Sequence, residues 1–167
     1  MKKLSASGTR TLKTLHLIFA GLWLGSAASL VLLNFLADGR APADLHGYNV
    51  AMKFVDDFII IPGAMGALFT GLVYSIWTNW GFFKYRWVTV KWIITLYGVL
   101  FGTFFLGPWL NGMEAISRAV GASAATDPAY LRNLTMNRWW GLFQVATITA
   151  AMIVSTVKPW GKAKKST

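Results

Sequence analysis

Two ionisable side chains stand inside apolar stretches, where a charge is costly. His16 lies in Leu15-His16-Leu17-Ile18-Phe19, and Lys91 in Val88-Thr89-Val90-Lys91-Trp92-Ile93. A titratable group surrounded by hydrocarbon is a candidate for binding, proton relay or pairing by default. Ala20 and Trp23 follow His16 by four and seven residues and share its helical face. A large aromatic, a small residue and an imidazole on one face can line a cofactor pocket. The other reading of His16 is a neutral histidine bonded to a carbonyl or hydroxyl within a bundle. Lys91 either reaches the same pocket or snorkels toward lipid headgroups.

The remaining chemistry-bearing residues gather elsewhere. His46, the second of two histidines, lies beyond the end of the first apolar stretch. A haem bound by His16 and His46 together is therefore not expected, since most of a ~30 Å hydrocarbon layer would separate them. A haem here has one histidine ligand, its other face open or held by lysine, methionine or water. Met52, Met113 and Met136 fall on the same side as His46, and thioether plus imidazole suits copper(I), or the methionines simply pack. Asp56 or Asp57 can pair with Arg138, or mark an ion or proton access point. No Ser/His/Asp nucleophile set, phosphate loop or H-E-x-x-H pattern is present, so hydrolysis is not expected. With no cysteine, thiol chemistry and iron–sulfur clusters are excluded.

The elements that must position these residues follow from composition. The chain has 167 residues, 55% hydrophobic and 13% charged, about half the charge of a soluble domain. Such a chain has too few polar groups to cover its own surface, so lipid must do it. Apolar segments at about 11–36, 48–80, 87–110 and 139–157 predict four transmembrane helices in a single domain spanning 1–167. Trp and Tyr at the edges of all but the first form an interfacial belt. The first stretch reads as a retained helix and not a signal peptide, being long enough to span and lacking a clear cleavage site. Polar connections are expected at 37–47 and 111–137, the second with a surface helix over 112–120 and a turn starting at Asp127-Pro128. Pro62 is expected to kink the second span.

Charge sets the expected orientation. With the N-terminus in the cytoplasm, the inner side holds Lys2, Lys3, Arg10, Lys13, Lys84, Arg86, Lys91, Lys158, Lys162, Lys164 and Lys165, which is 11 basic residues and no acid. The outer side holds five basic residues (Arg40, Lys53, Arg118, Arg132, Arg138) and all six acids (Asp38, Asp44, Asp56, Asp57, Glu114, Asp127). That asymmetry predicts an all-α, integral membrane four-helix bundle with N and C termini cytoplasmic. The net charge of +10 thus reads as a topology signal, with attraction to anionic lipid secondary, and not as a nucleic-acid surface. Small residues at packing spacing (Gly21 and Gly25; Gly63, Ala67 and Gly71; Gly98 and Gly102) let helices approach closely, or leave room for a flat ligand or a homo-oligomer seam.

The stretch Leu15-His16-Leu17-Ile18-Phe19-Ala20-Gly21-Leu22-Trp23-Leu24-Gly25 resembles the first-helix signature, histidine then tryptophan seven on then glycine, of several small bacterial membrane families. These are the copper-resistance protein D family, the HemJ-type protoporphyrinogen oxidases, and a predicted integral membrane family of unknown function. The whole chain is most similar to the last, in size and in the run Trp80-Gly81-Phe82-Phe83-Lys84-Tyr85-Arg86-Trp87-Val88-Thr89-Val90-Lys91-Trp92. The HemJ-type enzymes bind haem b through the first-helix histidine and carry an important lysine at the start of the third helix, positions that His16 and Lys91 match. The resemblance implies a haem-b protein of the bacterial inner membrane, with His16 as the metal ligand, Lys91 near the iron or on a propionate, and Trp23 and Trp92 as pocket walls. It implies a haem-dependent oxidoreductase or electron carrier working with the quinone or tetrapyrrole pool, or a haem-handling protein. A copper or small-solute transporter and a cofactor-free assembly partner are the rival readings.

Overall fold

The computed structural model describes residues 3–36 and 41–160. Lys2, Asp38, Arg40, Lys162, Lys164 and Lys165, which enter the charge pattern, lie outside them. The described residues are all helical apart from short connections: α1 (Ala6–Leu36), a 3-10 turn (Pro42–Asp44), α2 (Leu45–Val55), a π-helical turn (Asp56–Ile60), α3 (Ile61–Trp77), α4 (Arg86–Phe101), a second π turn (Gly102–Leu106), α5 (Gly107–Val120), a 3-10 stretch (Gly121–Thr126) and α6 (Pro128–Val157). Because the π turns join α2 to α3 and α4 to α5, these elements make four continuous helical segments long and apolar enough to cross a membrane.

Lipid exposure explains the pattern of residues. Leu17, Ile18, Leu32, Phe58, Phe69, Ile93, Phe104 and Ile153 all face outward with more than half their surface exposed, a girdle that water would not tolerate. The protein is read as a multi-pass membrane protein on that ground. Inside, α1 packs most closely on α3 and then α6, and α6 on α4, whereas α3 and α4 touch little. The pairs α1/α4 and α3/α6 are therefore diagonal. The closest approach is that of α1 and α3: a Cβ on Gly63 would lie 2.9 Å from the Trp23 backbone nitrogen and 3.2 Å from the Phe19 carbonyl oxygen. Gly63 serves that contact because it has no side chain. Gly21 and Gly25 do not, since a Cβ on either meets nothing within 4 Å.

The helical segments run well past a membrane's thickness. The stretch from Pro42 to Trp77 has 36 residues, about 54 Å of helix against a hydrocarbon core of about 30 Å. The excess forms a cap at the end of the bundle opposite the termini. There α2, α5, the 3-10 stretch and the first turns of α6 enclose their own core, including Leu45, Met52, Leu110, Met113, Ala124 and Tyr130. Asn49, fully buried, ties it together by donating to Ser117 Oγ at 3.0 Å, to Tyr130 Oη at 3.3 Å and to the Met113 carbonyl at 3.3 Å. The expected polar connection at 111–137 is thus corrected to helix nearly throughout. Asp127 and Pro128 begin α6 and not a turn: the Asp127 carboxylate accepts from the backbone N–H of Ala129 at 2.8 Å and of Tyr130 at 2.9 Å, with proline at the first helical position, where no N–H is needed.

Candidate functional site

At the end of the bundle that carries the termini, a cavity of about 550 Å³ opens between the four helices. That is within the size range of small-molecule and cofactor pockets, about 300–1,000 Å³. His16 on α1 and Lys91 and Trp92 on α4 line it, so the imidazole and the lysine face the same space from diagonal helices. Trp23 is elsewhere. Two helical turns beyond His16, about 10 Å along the axis, it is buried against α3, over the spot where a Cβ on Gly98 would touch its ring at 3.0 Å. It lines a second, separate cavity.

The hydrogen bonds around His16 favour one tautomer. Thr70 Oγ1 donates to the Gly66 carbonyl at 2.6 Å, the ordinary back-bond of a helical threonine. With its hydrogen on that carbonyl, it can accept the ring N–H of His16 Nδ1, 2.8 Å away. An imidazole protonated at Nδ1 carries its lone pair on Nε2, and the ring also lies within hydrogen-bonding reach of the Ala67 backbone carbonyl. A metal-ligating histidine is typically held this way, with one nitrogen donating to a fixed oxygen and the other left to the metal. Tyr74 packs edge-on to the imidazole at 5.9 Å and restrains its plane. Gly71 leaves the space beside the ring open: a Cβ there would stand 3.8 Å from His16 Cε1.

The walls and rim of the cavity are equally distinct. Trp80 and Trp87 pack edge to face at 5.1 Å, and both line the space. The Lys158 ammonium lies 4.9 Å from the Trp80 ring centroid, a cation–π contact. Trp92 Nε1 donates to Ser75 Oγ at 2.9 Å, bridging α4 to α3 where these helices otherwise barely meet. Lys91 Nζ donates to Ser155 Oγ at 3.0 Å, which holds its ammonium at the α6 wall. Lys13, Lys91 and Lys158 border the cavity, and no acidic residue is among its described lining. The site therefore presents a nitrogen lone pair, flat aromatic walls and a cationic rim. Those are the features a haem needs: an axial ligand, ring contacts and partners for two carboxylates, so the residues present fit the group.

The other candidates separate. Met52 and Met113 are fully enclosed in the apolar core of the cap, whereas Met136 is exposed, so the three thioethers do not converge. No group of three or more His, Asp or Glu side chains gathers among the described residues. Asp57 pairs with Lys53 at 2.9 Å, and Arg138 Nη2 donates to the Asn34 carbonyl at 2.7 Å. Thr70, Trp80, Trp87 and Ser155 are site residues that the sequence alone did not single out. Thr70 carried a signal, being a hydroxyl in the apolar run Leu68-Phe69-Thr70-Gly71. Comparison with family models, curated proteins and solved structures finds no match for the chain.

Proposed function

We propose that the protein binds haem b in the cavity at the termini end of the bundle, where His16 would hold the iron, and serves in electron transfer, oxidoreduction or haem handling at the bacterial inner membrane. The observation that supports this reading is the placement of His16: an imidazole at the wall of a lysine-rimmed cavity, with Nδ1 2.8 Å from Thr70 Oγ1. Bound haem supplies one-electron chemistry at the iron. The chain's own residues do the rest. Thr70 orients the imidazole and raises its basicity. Lys13 and Lys158 offer charge-assisted hydrogen bonds to carboxylates at the rim, with Lys91 nearer the floor. Trp80, Trp87 and Trp92 present apolar faces that exclude water, which raises the cost of charge at the site and so tunes its potential. Basic residues cluster at this end of the bundle, which is the cytoplasmic side in our reading.

The test is an absorption spectrum of protein purified in detergent, oxidised and reduced, after addition of haemin. The expected result is a Soret band of stoichiometric intensity that His16→Ala abolishes or shifts. An unaltered band in His16→Ala removes the ligand assignment.

A further inference from the structure

We propose that the second cavity, on the cap side of Trp23, is a binding site for a small amphipathic ammonium ion. It has a volume of about 350 Å³ and is bordered by all four helical segments and by both π turns. The inference goes beyond the haem reading and does not depend on it.

Free acceptors define the site. Gln144 on α6 is 4% exposed, and its Nε2 donates to the Gly98 carbonyl at 3.2 Å. Its Oε1 is buried with no hydrogen-bond partner, and a bare amide oxygen in an apolar surrounding calls for a donor. Thr103 Oγ1 sends its hydrogen to the Val99 carbonyl at 2.8 Å, which leaves only lone pairs. At the rim, the Lys53 ammonium is taken by Asp57 at 2.9 Å and by Asn111 Oδ1 at 2.8 Å. The Asp56 carboxylate makes no hydrogen bond or ion pair among the described residues. The described lining holds two carboxylates and no Lys, Arg or His. Lys53 stands at the rim beside Asp56 and Asp57, and the lining itself supplies no cationic donor to the Gln144 oxygen.

The walls set the rest of the ligand. Trp23 supplies an indole that a cation can face. Leu30, Val31, Ile60 and Met65 make the remaining surface mostly apolar. A bare metal ion would fill little of that space and would meet few oxygens, whereas an alkylammonium places its charge near Asp56 and its chain against the aliphatic side chains. The two π turns explain why such a space exists. Each directly precedes a helix with proline as its second residue, Pro62 or Pro108. Wide turns of this kind interrupt regular packing and recur at binding sites.

Isothermal titration of butylammonium chloride into the detergent-solubilised full chain, with detergent alone as blank, tests the proposal. The expected result is saturable binding that Asp56→Asn and Gln144→Leu each weaken at least tenfold and that 1-butanol does not reproduce. His16→Ala is expected to leave this binding unchanged, so failure here is distinct from failure of the haem reading. Circular dichroism checks that each variant folds, and Asp56→Asn, an isosteric change, is the informative one if Gln144→Leu does not. Absence of saturable heat, equal binding of butanol, or full affinity in Asp56→Asn overturns the assignment.

Discussion

Replacing Thr70 with valine keeps the shape of the side chain and removes the hydroxyl oxygen beside His16 Nδ1. With the Thr70 hydrogen on the Gly66 carbonyl, this oxygen accepts the ring N–H across 2.8 Å. In Thr70→Val the ring N–H loses that acceptor and keeps only the Ala67 carbonyl within reach, at a cost of about 1–3 kcal/mol. The imidazole relieves that cost by rotating or by moving its proton to Nε2, and either response withdraws the lone pair from the cavity. Loss of such a supporting partner lowers metal affinity by about 10- to 100-fold, or about 1.4–2.7 kcal/mol. Haemin titration followed at the Soret band measures it directly, with Thr70→Ser as the variant that restores the acceptor. Wild-type affinity and spectrum in folded Thr70→Val would refute the reasoning, because the orientation of His16 would then owe nothing to Thr70.

Two further outcomes follow from the glycines. In Gly71→Leu the new side chain enters the cavity beside His16 Cε1, so haemin binding is expected to disappear while helical content, read by circular dichroism, stays unchanged. Gly63→Ala forces a methyl against the α1 backbone at Trp23 and is expected to cost about 1–3 kcal/mol of stability, seen as earlier thermal unfolding in detergent. Gly21→Ala, with nothing near its Cβ, is expected to stay within about 0.5 kcal/mol in the same assay.

The spans were legible because twenty-residue apolar runs have few physical alternatives. Their continuation beyond the bilayer was not. The stretch from Asn111 to Asn137 is polar enough to read as a connection, yet its apolar residues close a core of their own in the cap. One local signal was available, since Asp127 followed by Pro128 is a helix start by the capping rule as much as a turn. Trp23 shows a different limit. Residues seven apart share a helix face, but they stand two turns apart along it, and the smooth surface at Gly98 draws this indole into the bundle centre, away from His16. Gln144 and Thr70 went unremarked because neither is ionisable. Within lipid an uncharged amide or hydroxyl also has to find a partner, and each marks a cavity.

The same helix packing accounts for both cavities. Close contact between α1 and α3 requires Gly63, and it pushes the large side chains of α1 toward the centre, where Trp23 settles on Gly98. That wedge holds α3 and α4 apart along most of their length, leaving Trp92 and Ser75 as a bridge near one end. Space remains on either side of Trp23, and its electrical character follows from which end of the bundle supplies the rim. Lysines border the cavity at the termini end, and aspartates border the one beneath the cap. A single chain thus offers an anion-seeking and a cation-seeking cavity on one axis, with one indole between them.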